Sequence, residues 1–493
     1  MPWLKRRLLY SLNASDLGRA LMKNLMRCLY CGLLQDEPAG VKECQRCGGE
    51  LAFETQKPSS LGGGYLMTQM ELDQVKAPAG QTVDRYLLVT LKTPAQVPPE
   101  QAAPTTSGRP PLSFTAVLDV SGSMQGEKLA QAKEAIRLAL RILREGDVLS
   151  LVTFSDQIRC VLEPTEVTAQ ARKTVESALQ EIMATGMTAL DGGLALGIEK
   201  ALVMKRTNNL VLLLSDGQAN VGETDLEKVG QRSQRGRQEG LTISTLGVGL
   251  DYNEALMAEI AIQGGGRFYH IQNALQISAY LSGELGEIAN LAARGARLSL
   301  NLPPGAVLVP LSAAYPSEMS DGQAIVQVGD IPCDVELEIP LRLTLFAQKA
   351  DARLSITGEV SYQSPAGNML SDALNRVTVR FMAAGEFIPK EGIIVPTAER
   401  VFRHLRAAHV LTAARRMTSS PKAGIQEARI GMETLREYAA RLGTASAQEM
   451  LLELDNDLGA MAASPAHAKQ QVAAAFRMQR STKDFGQKDK SQG

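Results

Sequence analysis

Phe114-Thr115-Ala116-Val117-Leu118-Asp119-Val120-Ser121-Gly122-Ser123 decides how this chain folds. The apolar run at its start reads as a buried strand. The run ends in D-x-S-x-S. Gly126 then opens a segment with Leu129, Ala132, Ile136, Leu140 and Leu143 at steps of three and four residues. That spacing predicts an amphipathic helix. A strand therefore delivers a carboxylate and two hydroxyls to its carboxyl end, which is where open α/β sheets bind ligands. Hard oxygen donors gathered at one point suit Mg²⁺, Mn²⁺ or Ca²⁺ better than a soft transition metal. A plain strand-to-helix turn also favours Asp and Ser as caps, so the pentapeptide alone leaves both readings open.

The sequence on either side extends the pattern. Val148–Phe154, Leu210–Leu214 and Leu241–Leu246 read as further strands with helices between them, and Gln157–Leu162 as an antiparallel edge strand. Such βα alternation predicts a mostly parallel, doubly wound sheet. Thr188 lies in Thr185-Gly186-Met187-Thr188-Ala189-Leu190, a loop leading into a helix. Asp216 follows Leu210–Leu214 in Ser215-Asp216-Gly217, again at a strand end.

Taken in order, Asp119, Ser121, Ser123, Thr188 and Asp216 resemble the metal-ion-dependent adhesion site of the von Willebrand factor A (vWA) domain, over residues 112–288. The resemblance implies Ser121, Ser123 and Thr188 as direct or near-direct ligands of Mg²⁺, Mn²⁺ or Ca²⁺, with Asp119 and Asp216 acting largely through waters. One departure is Gly-Met before the threonine, where the family often has Gly-Gly. Two carboxylates roughly balance a divalent ion, and Mg²⁺ keeps waters that a partner's Asp or Glu can replace. No evident general base stands beside the metal, so the site reads as one for binding a carboxylate.

Cys28-x₂-Cys31-x₁₂-Cys44-x₂-Cys47 uses four of the six cysteines, each pair followed by glycine. Two such knuckles complete a tetrahedral thiolate site suited to Zn²⁺ and resemble a zinc ribbon over residues 28–52. A pair of disulfides and a redox C-x-x-C are the alternatives. The first fits poorly without an export signal, and the second lacks its βαβ context. Cys160 and Cys333 stand alone in apolar strands and read as buried small hydrophobes.

The remaining organisation follows from changes of period. Residues 1–27 are basic and amphipathic, suited to a membrane surface or to docking on protein. Residues 65–93 read as strands, and the Pro-rich stretch from Pro94 to Pro111 as irregular. Over 290–385 apolar residues alternate strictly, as in Val335, Leu337, Ile339, Leu341, Leu343 and Leu345. A period of two argues for an antiparallel β-sandwich. Strands 65–93 are too few to stand alone, so they are expected to pair with 290–385. The vWA domain would then be inserted in the sandwich, with hinges at 94–111 and at Ala292-Ala293-Arg294-Gly295. Helices are expected over 396–465, and a disordered tail over 481–493. This order resembles that of bacterial inter-alpha-trypsin inhibitor heavy-chain and calcium-activated chloride-channel-like vWA proteins, on architecture alone. The expected fold is thus multidomain: a zinc ribbon, a doubly wound α/β vWA sheet within a β-sandwich, and C-terminal helices.

Composition narrows the functional classes. Net charge is −1, so no global field favours nucleic acid, and aromatic content of 4% argues against base-stacking platforms. No apolar run reaches the ~18–20 residues that span a bilayer, and no signal peptide is evident, so a cytoplasmic location is expected. Four histidines supply no H-E-x-x-H, and His404 and His409 read as partly exposed helix residues. No phosphate loop, nucleophile elbow or kinase set is present. The expectation is a non-enzymatic scaffold or adaptor that grips an acidic residue of a protein partner through a metal. The rival is a substrate-recognition or regulatory subunit of a separately encoded ATPase, kinase or phosphatase.

Overall fold

The computed structural model describes residues 25–28, 34–36, 44, 51–53, 64–102, 110–216, 219–249, 252–271, 280, 283–287, 290–445, 447–452 and 465–480. Most of the basic segment 1–27, Cys31, Cys47 and the tail 481–493 lie outside these residues.

Short strands come first. β1 (Leu25–Cys28) pairs antiparallel with β2 (Leu34–Asp36) and with β3 (Leu51–Phe53). Cys28 and Cys44 are both buried, in one apolar cluster with Met26 and Leu51. Next come β4 (Met67–Leu72), β5 (Lys76–Pro78) and β6 (Val83–Lys92), and in the Pro-rich stretch a 3-10 turn at Pro99–Gln101.

The central sheet is built on β7 (Leu112–Asp119), all of whose residues are buried. Period-two side chains split the run between two layers. Phe114, Ala116 and Leu118 join one apolar cluster, and Val117 joins another. Helices cover both faces, so a wholly buried strand is what this position requires, its Thr115 hydroxyl paired with that of Ser150 at 2.8 Å. The elements alternate as α1 (Glu127–Ile142), β8 (Val148–Phe154), β9 (Ile158–Glu166), α2 (Ala169–Glu181), α3 (Leu190–Val203), β10 (Asn208–Ser215), α4 (Leu226–Gln238), β11 (Thr242–Val248), α5 (Glu254–Gln263) and β12 (Gly265–Ile271). The strand order is β12-β11-β10-β7-β8-β9, parallel except for the antiparallel edge strand β9. Gly193 and Gly197 let α3 lie directly on this sheet. A Cβ at Gly193 would stand 2.5 Å from the Phe154 ring, and one at Gly197 2.3 Å from Val117 Cγ2.

Two further sheets follow, from β13 (Leu291–Asn301), β14 (Ala306–Pro310), β15 (Ser317–Ser320), β16 (Gln323–Pro332), β17 (Glu336–Leu345), β18 (Arg353–Gln363) and β19 (Met369–Met382). One runs β15-β16-β13-β18-β19-β5 and the other β14-β17-β6-β4. β6 lies between β17 and β4, with Leu87 opposite Leu341 and Val89 opposite Ile339. One apolar cluster draws Leu87, Val89 and Leu341 from the second sheet and Leu298, Val360 and Phe381 from the first.

α6 (Val395–Ser419), α7 (Pro421–Leu442) and α8 (Pro465–Arg480) close the described chain. Pro396 sits in the first turn of α6, where its missing N–H costs nothing. Ser420 caps α7, and Gly443 ends it in the left-handed conformation. α8 runs well past residue 465, beyond the expected helical segment, and its Phe476 packs edge-on against Phe268 of β12 with ring centroids 6.0 Å apart. Among the described residues no helix is long and apolar enough to cross a membrane.

Three expectations need correction. His404 is not partly exposed. It is fully buried, with Nε2 2.8 Å from Glu338 Oε2, and Arg400 pairs with both Glu338 and Glu71. Cys160 is only half-buried, because β9 is an edge strand with an open face. Residues 292–295 do not form a loose hinge. They lie within β13, and Arg294 donates to Thr207 O and Asn208 Oδ1 at the start of β10, each at 3.2 Å. Arg237 at the end of α4 adds a bond to Ala314 O at 3.3 Å.

Candidate functional site

β7 and β10 are parallel neighbours, so their ends deliver Asp119 and Asp216 to the same edge of the sheet. Both carboxylates are fully buried. Asp119 Oδ1 accepts the Ser121 N–H at 2.9 Å, and Oδ2 accepts the Ser215 hydroxyl at 2.5 Å. The Ser121 and Ser123 hydroxyls lie 3.0 Å apart, and Ser123 donates to Asp216 Oδ1 at 3.0 Å. Asp119, Ser121, Ser123 and Asp216 thus form one continuous hydrogen-bonded chain. Ser121 is buried, and Ser123 is exposed at its outer end.

Thr188 is buried and fixed through its backbone. Its N–H donates to Asn220 Oδ1 at 2.8 Å, and its carbonyl accepts from Asn220 N and Val221 N at 3.2 Å. The loop before it is clamped to the D-x-S-x-S turn: Thr185 N donates to Val120 O at 2.8 Å, and Gly122 N to Gly186 O at 3.0 Å. Thr188 therefore belongs to the same cluster of loops, held through its own backbone groups rather than by the chain of bonds from Asp119 to Asp216.

Two residues of the site escaped the sequence reading. Ser215 supports Asp119 from the adjacent strand. Lys128, in the first turn of α1, places Nζ 3.2 Å from Asp216 Oδ2. A hydroxyl at the end of an apolar strand, and a lysine nine residues after Asp119, carry no local signal that marks them as parts of a site.

The electrostatics bear on what the cluster could hold. Burial pushes the Asp119 carboxyl up to about 6, against the lowering effect of its hydrogen bonds from Ser121 and Ser215, and the charge of Asp216 adds to the rise. A cation among these donors would relieve that cost. Two carboxylates and three hydroxyls form an all-oxygen set, which fits a hard divalent ion. Among the described residues no three His, Cys, Asp or Glu side chains gather in a way that could hold a metal, so hydroxyls would have to supply the rest.

Residues 115–282 match the model of the von Willebrand factor type A domain. The chain carries a vWA domain. Among curated proteins, YfbK of Escherichia coli (strain K12) is 28% identical over 249 residues, covering 49% of this chain and 43% of that protein. Protein sll0103 of Synechocystis is 30% identical over 280 residues, covering 54% and 66%. Inter-alpha-trypsin inhibitor heavy chain H3 of Homo sapiens is 28% identical over 230 residues, covering 44% and 25%. The chain therefore spans less than two thirds of each relative's length. Among solved structures, a von Willebrand factor type A protein from Catenulispora acidiphila superposes with a TM-score of 0.55 at 17% identity, covering 79% of this chain and 89% of that one. The ArnB paralog VWA2 from Sulfolobus acidocaldarius gives 0.50 at 18% identity, covering 85% and 99%. At these identities the likeness is one of fold. vWA domains generally mediate protein–protein interactions and commonly bind a divalent metal.

Proposed function

We propose that this chain is a non-enzymatic, cytoplasmic scaffold or adaptor whose vWA domain binds an acidic residue of a partner protein through a divalent cation. Asp119, Ser121, Ser123, Thr188 and Asp216 would hold Mg²⁺ or Mn²⁺. When bound, the ion supplies a coordination position that a partner's carboxylate can take in place of water. The observation that carries the reading is the relay from Asp119 through Ser121 and Ser123 to Asp216, at the carboxyl edge of the sheet. It gathers hard oxygen donors where α/β sheets bind ligands. Calorimetric titration of Mg²⁺ and Mn²⁺ into the wild type and into Asp119→Ala/Asp216→Ala tests it. Unchanged affinity in the double variant overturns the reading.

The same proposal has two structural parts. Cys28, Cys31, Cys44 and Cys47 hold Zn²⁺ in a ribbon, a reading supported by the common burial of Cys28 and Cys44 in one cluster. Strands β4–β6 and β13–β19 form one sandwich interrupted by the vWA domain, a reading supported by the seating of β6 between β17 and β4. The ribbon and the C-terminal helices then offer docking surfaces around a metal-dependent grip.

A further inference from the structure

Lys128 makes this site more than the set of oxygen donors its motif describes. Every carboxylate oxygen in the cluster already has a donor from the protein. Asp119 is served by the Ser121 N–H and the Ser215 hydroxyl, and Asp216 by the Ser123 hydroxyl and the Lys128 ammonium. Three of these donors are neutral. The fourth is a full positive charge set against a fully buried carboxylate, while the lysine itself keeps about a quarter of its side chain in contact with solvent, at 23%.

The fold makes room for this arrangement. Lys128 starts α1, so its side chain can turn back over the end of the sheet, as helix side chains lean toward the N-terminus. Its stem then passes over Gly249, just beyond the end of β11. A Cβ there would come within 2.7 Å of Lys128 Cε, and φ is +85°. A backbone that leaves space for the stem, together with an ammonium at ion-pair distance, gives two separate observations that aim Lys128 into the cluster.

We propose that Lys128 is the site's built-in counter-ion, competing with the divalent metal for Asp216 and holding metal affinity down. The inference rests on the metal reading above. Without metal, Lys128 neutralises a carboxylate that would otherwise be buried and uncompensated. With metal, two cations face the same oxygens, and the flexible stem lets the ammonium withdraw toward water. The metal-free state is thus stabilised by an ion pair that the loaded state weakens. By mass action, that difference lowers the apparent affinity for the ion. Two carboxylates, one ammonium and a divalent ion also leave the loaded site with net positive charge, which sharpens its demand for an anionic partner group.

The test is Mn²⁺ and Mg²⁺ titration, followed by calorimetry and by thermal melting, on wild type, Lys128→Met, Lys128→Gln and Lys128→Arg. Exposed Lys173 on α2 provides a control for loss of charge, as Lys173→Met. The expected result is ion affinity about 10-fold tighter in Lys128→Met and Lys128→Gln. Their metal-free melting temperatures should fall below the wild type, and saturating ion should recover more of the loss than it adds to the wild type. Lys128→Arg and Lys173→Met should stay near the wild type. Equal or weaker affinity in both neutral variants overturns the competition while leaving the metal reading intact. An arginine variant that binds as tightly as the neutral ones also overturns it, because charge is then not the cause. If neither the wild type nor the neutral variants take up ion, the metal reading falls and the competition falls with it.

Discussion

The Ser215 hydroxyl donates to Asp119 Oδ2 at 2.5 Å across two adjacent parallel strands, and both residues are fully buried. The hydroxyl holds one oxygen of a desolvated carboxylate and fixes its plane. Ser215→Ala should therefore leave the fold intact and cost about 1–3 kcal/mol of stability, the loss expected when a buried acceptor is stripped of its donor. Mn²⁺ affinity should fall as well, since Asp119 becomes harder to keep charged. Urea unfolding and calorimetry check both. A variant with wild-type stability would show that Asp119 does not depend on this bond.

Acid should loosen the anchor between α6 and the β14-β17-β6-β4 sheet. Burial alone would raise the Glu338 carboxyl, but the hydrogen bonds and charges of His404 and Arg400 outweigh it and hold the group below the usual range. Because the folded value is the lower one, the contribution is present above the unfolded value of about 4.3 and fades as pH falls through the folded value. Denaturant unfolding followed at pH 7 and at pH 3–4, to either side of about 4.3, should show a loss in the wild type that shrinks in Glu338→Gln. At neutral pH that variant should be destabilised by roughly 1–3 kcal/mol. An unchanged acid profile would assign the pH dependence to other carboxylates.

One Zn²⁺ per chain should survive purification, since four thiolates bind it with apparent free energies of order 10 kcal/mol or more. Cys28→Ser or Cys44→Ser should release it. Chelation should disturb the ribbon without melting the vWA domain, whose apolar clusters share no residue with Cys28 or Cys44. Elemental analysis finding no zinc, or finding iron, removes the ribbon assignment.

A chain starting at Leu112 lacks β4, β5 and β6. Deleting β6 uncovers one edge of β17 and the apolar face that Leu87 and Val89 cover. Fragment 112–493 should accordingly be poorly soluble, with solubility recovered when residues 1–102 are co-expressed. A soluble fragment with native β-sheet circular dichroism would show that the two sheets do not need those strands.

How much of this was readable beforehand depends on the range of the interaction. Asp119 and Asp216 could be placed at strand ends because Phe114–Leu118 and Leu210–Leu214 are apolar runs with a turn behind them, a purely local signal. The faces of α1 and β17 were legible for the same reason. Lys128 was not, since a lysine in the first turn of a helix looks like any solvated charge until the fold turns it back over the sheet. His404 reads as a polar helix residue, and its burial depends on Glu338, brought from the distant strand β17 to meet Nε2 and held there by Arg400 of the same helix. α8 is rich in alanine, whose low apolar contrast blurs the helical period that would have announced it.

Arg294 and Arg237 join the vWA sheet to the β-rich part of the chain at the ends of the strands remote from Asp119 and Asp216. A load hung on the carboxylates and passed on through these two contacts would run along the strand axes. Parallel neighbours are joined by evenly spaced bonds, so a lengthwise tug shears many of them at once instead of unzipping them singly. A pull by a partner on the proposed grip would, along this path, load the strands lengthwise.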